Sequence, residues 1–220
     1  MKRTIRAASL CALALAALVV VPTGATAKPN GTSCTGTLAP GVYKSVDVPD
    51  GAVCIISTGP LTILGGVTVG EGATFVFGSE ETPDVTSVIA GGVHATNAAN
   101  VQIHFSTILG GIDIQGGAGP NGGPFGITWN TIEDSVVNGG ATIEGYNGFW
   151  MGFIRNNVNG SVNLNGNVLV DPDGNEYVTN TINGSFKCAG NSPAPQVGDS
   201  EGAPNHVNGA ATGQCAGLVG

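Results

Sequence analysis

Basic residues are scarce. Seven Lys and Arg stand against fifteen Asp and Glu in 220 residues, and three of the seven (Lys2, Arg3, Arg6) fall in the first few positions. So few cations offer little to a phosphate backbone or an anionic membrane surface, so nucleic acid is not an expected partner. No Cys-x-x-Cys and no His or Cys at zinc-ligand spacing occurs, which removes the common structural metal sites. No convincing bilayer span is present either, since that takes about 18 apolar residues or more. The longest apolar run, Ala7 to Val21, is followed at once by Pro22-Thr23-Gly24. No repeated segment carries a 3.6-residue apolar period, so helices are not expected to build the fold.

The N-terminus does hold a basic start, that apolar run and a small-residue end at Ala25-Thr26-Ala27. This is the pattern of a secretory signal peptide over residues 1–27. Its removal leaves Lys28, Lys44, Arg155 and Lys187 against all fifteen carboxylates, a net charge of −11. The mature protein is therefore expected to be secreted, with no membrane span. Cys11 leaves with the leader, and Cys34, Cys54, Cys188 and Cys215 remain. An even number in an exported chain reads as disulfides. Three connectivities are open, and sequence alone does not choose among them. Position favours Cys34–Cys54 ahead of the repeats and Cys188–Cys215 behind them, each contributing about 3 kcal/mol in the chain-entropy picture.

Between those pairs one seven-residue phrase recurs: "ILGGVTV" at 63–69, "IAGGVHA" at 89–95, "ILGGIDI" at 108–114, "VNGGATI" at 137–143, "VNGSVNL" at 158–164 and "INGSFKC" at 182–188. Aligned on the first glycine (Gly65, Gly91, Gly110, Gly139, Gly160, Gly184), the copies are 26, 19, 29, 21 and 24 residues apart. Position −2 is always Ile or Val, and positions +2 and +4 are apolar in every copy. These offsets share the period of a strand, so they mark one inward face. The glycine between them predicts a bend joining two short strands. A unit of this size buries its apolar edge only by stacking on copies of itself, and the architecture that fits is an all-β parallel β-solenoid. Asn156 and Asn180 are expected to stack as a ladder in adjacent coils. The domain reading is leader 1–27, opening segment and coil 28–62, coils 63–188, and a capping tail 189–220 with no strand pattern of its own.

The rungs, with "TNTINGSFKCAGNSPAP" at 179–195 and "PNHVNGAATGQC" at 204–215, resemble small exported actinobacterial proteins with a right-handed parallel β-helix, the fold of the pectate-lyase-like superfamily. The likeness spans most of residues 40–215. It implies a right-handed β-helix of six to seven short coils with disulfide-tied ends, and it implies no particular activity. Polygalacturonases of that superfamily resemble one another in Asn-Thr-Asp, Asp-Asp, His-Gly and Arg-Ile-Lys motifs. Here "NTI" occurs at 130–132 and 180–182, and the other three are missing, which disfavours pectin chemistry.

Half of the twelve aromatic residues fall between 125 and 153: Phe125, Trp129, Tyr146, Phe149, Trp150 and Phe153. Aromatic faces beside carboxylates suit sugar rings, so Trp129, Tyr146, Phe149 and Trp150 are the expected ligand contacts. Glu133 and Glu144, with Arg155 nearby, are the candidates for acid and base work on a glycosidic bond. Asp171, Asp173 and Glu176 in "DPDGNE" form a weak metal candidate beside the simpler reading of an Asp-Gly turn. His94 and His104 read as surface or packing residues. No cofactor is expected.

These readings point to a secreted, non-catalytic structural or surface-interaction protein whose partner is a polysaccharide or other cell-surface component. The alternative is a carbohydrate-active enzyme, a polysaccharide lyase or glycoside hydrolase. Carboxylates converging in one groove favour the enzyme; a flat aromatic strip without them favours binding.

Overall fold

The computed structural model describes residues 31–81, 83, 87–199 and 202–220. The leader assigned to residues 1–27 lies outside them. The chain winds into a parallel β-solenoid of about seven turns whose strands stack into three sheets. Sheet I has nine strands, from Thr32–Ser33 to Ala211–Gly213. Sheet II has eight, from Gly41–Tyr43 to His206–Val207. Sheet III has six, from Val53–Ile56 to Asn175–Val178. A typical coil runs Thr107–Ile108 in sheet II, Ile112–Gln115 in sheet I, then Trp129–Glu133 in sheet III. Each strand pairs in parallel with its equivalent one coil away.

The expected inward columns are the core. Ile63, Ile89, Ile108, Val137, Val158 and Ile182 are fully buried, as are the +2 and +4 residues to within a few per cent. Register holds them in line, for example Ile108 beside Val137 and Ile114 beside Ile143. Their stacking removes apolar surface from water along the whole axis, at about 25 cal/mol per Å². The glycine column bends between sheets II and I as expected, and stacking explains why nothing larger stands there. A Cβ added at Gly139 or Gly184 would lie 2.6 Å from the backbone of the preceding coil.

Sheet III closes the coil with the inward columns Phe77, Ile103, Ile132, Phe153, Tyr177 and Phe75, Val101, Asn130, Met151, Asn175. Where sheet III turns into sheet II, Ser106, Ser135, Asn156, Asn180 and Asn205 form one internal ladder. Each after Ser106 accepts, through its side-chain oxygen, the backbone N–H of the residue before it in that series. The expected Asn156–Asn180 stack is the middle of this ladder. The Nδ2 groups donate to carbonyls such as Ile132 O and Phe153 O at 2.7 Å, so the corner buries no unpaired backbone group at these positions.

Both disulfides join the favoured partners, Cys34 to Cys54 with Cα atoms 5.5 Å apart and Cys188 to Cys215 at 5.0 Å. The tail departs from expectation. It supplies two more strands, His206–Val207 on Thr181–Ile182 and Ala211–Gly213 on Phe186–Ala189, before the 3₁₀ turn Gln214–Leu218. "VNGAA" at 207–211 is thus a further copy of the phrase, with small residues where its neighbours have large ones. Among the described residues no helix is long and apolar enough to cross a membrane.

Candidate active site

Alternate residues of sheet III point away from the core. One outward column reads Ile55, Val76, Gln102, Thr131, Gly152, Glu176, and the next His104, Glu133, Ile154, Val178. In a bare solenoid this face would be open to water. Here Val76, Gln102, His104, Thr131 and Glu133 are each at least 93% buried, because excursions of the chain rise beside them as walls. They form the floor of a groove of about 910 Å³, within the range of small-molecule and cofactor sites.

One wall comes from the Gly- and Pro-rich excursion after Ile112–Gln115. It carries Phe125, whose ring stacks on Trp129 at 5.4 Å between centroids and 8° between planes. Trp129 and Trp150 stand in register on adjacent coils, and Phe149 lines the same side. Gly152 sets the pose of Trp150, because a side chain there would overlap the indole ring. Ser79, Glu80 and Glu81 line the groove from the chain that follows strand Thr74–Phe77.

The chemistry gathers where Glu80, His104 and Glu133 meet from three successive coils. His104 Nδ1 lies 2.6 Å from Glu133 Oε1 and 3.7 Å from Glu80 Oε1. Arg155 Nη2 is 3.7 Å from Glu133 Oε2, and the guanidinium is clamped by Asp134 through Nε to Oδ1 at 2.8 Å and Nη2 to Oδ2 at 2.6 Å. The backbone corner here is unusual. Phe105, Asp134, Arg155 and Thr179 all have φ between 45° and 57°, a left-handed conformation costing a non-glycine residue on the order of 1 kcal/mol. That column bends the chain just beyond His104 and Glu133 and sets Asp134 beside Arg155.

The two glutamates are pushed apart in acidity. A hydrogen bond to Glu133, then burial, then the charge of Glu133 raise Glu80 to about 7. Burial opposes ionisation of Glu133, but hydrogen bonds from His104 and Glu80 and the charges of His104 and Arg155 outweigh it, so Glu133 titrates below its ordinary value. Such a divergent pair is the usual arrangement for assigning one carboxyl as acid and the other as base. With Glu133 ionised, His104 Nδ1 is the donor in their hydrogen bond. On the floor beside them, Gln102 Nε2 and Thr131 Oγ1 are buried with no hydrogen-bond partner among the described residues. Unsatisfied donors at a groove floor are groups a ligand can pair.

The expected residues divide sharply. Glu133, Arg155, Trp129, Phe149, Trp150 and Asp171 all line this groove. Tyr146 does not: it is fully buried inside the coil and its hydroxyl donates to Ala99 O at 3.0 Å. The ring packs there because Gly117 and Gly148 leave it room. Phe153 is likewise a core residue. Glu144 lies on sheet I, where Asn165 Nδ2 donates to it at 2.9 Å, and so does not pair with Glu133. Asp171, Asp173 and Glu176 do not converge. Asp171 accepts the backbone N–H of Asp173 in a turn, while Glu176 is buried on sheet III. Among the described residues, Glu80, His104 and Glu133 are the group able to share a metal ion, with candidate ligand atoms all within 4.8 Å of one another.

Sequence reasoning did not single out Glu80, and it read His104 as a surface or packing residue; His104 is buried on the groove floor, packed against Glu133. The signal for His104 was present at position −6 from the repeat glycine, where His104 and Glu133 share a column. Glu80 had no such signal, because it lies at the start of a longer insertion. No protein family, curated protein or solved structure matches the chain.

Proposed function

We propose that the protein is an exported carbohydrate-active enzyme that cleaves glycosidic bonds in a polysaccharide laid along the outer face of sheet III. The observation that carries this reading is the meeting of Glu80 and Glu133, of opposite titration, in a groove walled by aromatic rings. Export rests on the leader pattern and the two disulfides. The rings offer flat apolar faces to sugars, and Gln102 and Thr131 offer hydrogen bonds to their hydroxyls.

Glu80, protonated up to about pH 7, is the general acid. Glu133, held ionised and oriented by His104, is the nucleophile. Glu80 and Glu133 are hydrogen-bonded to each other, closer than the roughly 5–5.5 Å of a retaining pair and far from the roughly 6.5–9.5 Å of an inverting one, so a retaining geometry forms as Glu80 draws back from Glu133. Glu133 attacks the anomeric carbon as the bond to the leaving sugar breaks, and the leaving oxygen takes the proton of Glu80. Water then cleaves the glycosyl ester, giving its proton to Glu80. Glu80 is the exposed partner, with 68% of its side chain accessible, so it is the residue that swings aside to admit substrate.

The Phe125–Trp129 stack also favours a second reading, a glycan-binding module without cleavage. Reducing-end release from a polysaccharide panel separates the two. The enzyme reading expects release by the wild type and a loss of about 10²–10⁴-fold in Glu133→Gln, with glycan binding retained. Specific binding by the wild type without any release of ends overturns it in favour of the module.

A further inference from the structure

We infer that the groove selects a glycan whose sugars carry free, protonated amines, a polymer of unacetylated hexosamine, over neutral or acidic glycans. This inference rests on the groove being the glycan site proposed above. Of the cations among the described residues, Lys44, Arg155 and Lys187, only Arg155 lines the groove. Its guanidinium is already engaged by both oxygens of Asp134, so it offers little to a uronate. Four carboxyl groups line the same space: Glu80, Glu81, Glu133 and Asp171. Glu81 and Asp171 make no ion pair among the described residues.

An acidic cleft with low-dielectric walls focuses its field on a cation inside it. The aromatic wall adds to the effect, because an ammonium group over the face of Trp or Phe is attracted by the ring quadrupole. Gln102 Nε2 and Thr131 Oγ1 give independent evidence of a ligand. Both are buried, unpaired and on the floor between the carboxylates and the rings, where sugar hydroxyls would complete them. A polyuronate meets the reverse situation, since each of its carboxylates would enter an already negative groove.

Calorimetric titration of the full mature chain with glucosamine oligomers, their N-acetylated counterparts, β-1,4-glucose oligomers and oligogalacturonate, all of equal length, tests the inference. At about pH 5.5, above the ordinary carboxylate range, the free-amine oligomer should bind about tenfold more tightly than the acetylated one. Salt near 1 M, where the Debye length is about 3 Å, should remove most of that advantage. Glu81→Gln combined with Asp171→Asn should abolish the preference while circular dichroism stays unchanged. Equal or tighter binding of the acetylated, neutral or acidic oligomer overturns the inference, even where cleavage is seen and the enzyme reading stands. A salt-sensitive amine preference without cleavage upholds the inference and removes the enzyme.

Discussion

His104 Nδ1 and Glu133 Oε1 lie 2.6 Å apart although 29 residues separate them in the chain. The contact exists because each stands at the same place in its coil, one rung apart, so the solenoid's register brings them together. A hydrogen bond to a charged acceptor in a nearly dry place is worth about 1.5–3 kcal/mol. It holds Glu133 ionised and aimed at the groove, the role a nucleophile's partner has to fill.

The pH response follows from the two glutamates. Activity should fall as pH rises through about 7, where Glu80 loses its proton, and should persist below the ordinary carboxylate range, because Glu133 is lowered. Stability responds with the same signs. Glu80, raised in the fold, contributes stability that is present below about 4.5 and lost as pH climbs to about 7. Glu133, lowered, contributes stability that is present above its ordinary value and lost on further acidification. A pH–rate profile of the wild type beside Glu80→Gln checks this; the alkaline limb should vanish in the variant along with most of the rate.

Trp150→Ala should weaken glycan binding by about 2- to 12-fold, the 0.5–1.5 kcal/mol of an aromatic contact, with little change in unfolding midpoint. Tyr146→Phe should do the opposite, leaving binding intact while costing about 1 kcal/mol for its buried hydroxyl. Binding isotherms with urea unfolding of both variants make the comparison. Equal binding losses would place Tyr146 at the groove after all.

The internal and external asparagine ladders should differ in worth. Asn180→Ala removes the acceptor of Asn156 N–H and the donor to Phe153 O, both buried, and should cost about 3 kcal/mol. Asn183→Ala breaks only the exposed chain from Asn159 to Asn208 and should cost less than about 0.5 kcal/mol. Denaturant melts of the two proteins decide it.

Added Zn²⁺ should inhibit cleavage, because it would draw Glu80, His104 and Glu133 into coordination and remove both the acid and the nucleophile. EDTA should then restore the rate. Loss of activity in EDTA alone, with recovery on adding a divalent ion, would instead make the cluster a working metal centre.

The core was open to reading from the sequence because strand period is a local property. Side chains two residues apart share a face wherever the strand lies, so Ile108, Ile112 and Ile114 could be assigned inward without knowing what they would touch. The glycine bends and the Asn156–Asn180 stack followed from that alignment, while the disulfide partners were favoured only by their positions before and behind the repeats. Tyr146 was misplaced because an aromatic residue beside Gly145, Asn147 and Gly148 looks like an exposed loop; only the stacked coils reveal the interior space that Gly117 and Gly148 leave.

The amino-acid sequence by itself thus determined that the chain is a stack of β coils, which residues line its interior on sheets I and II, and where it bends between them. The tertiary structure alone decided that the outer face of sheet III is a groove. Excursions of unequal length between copies raise walls over that face, and stacking sets Glu80 beside His104 and Glu133. Periodicity places His104 beside Glu133, but it carries no information about the walls or about Glu80, because both depend on where the irregular segments come to rest against coils distant in the chain.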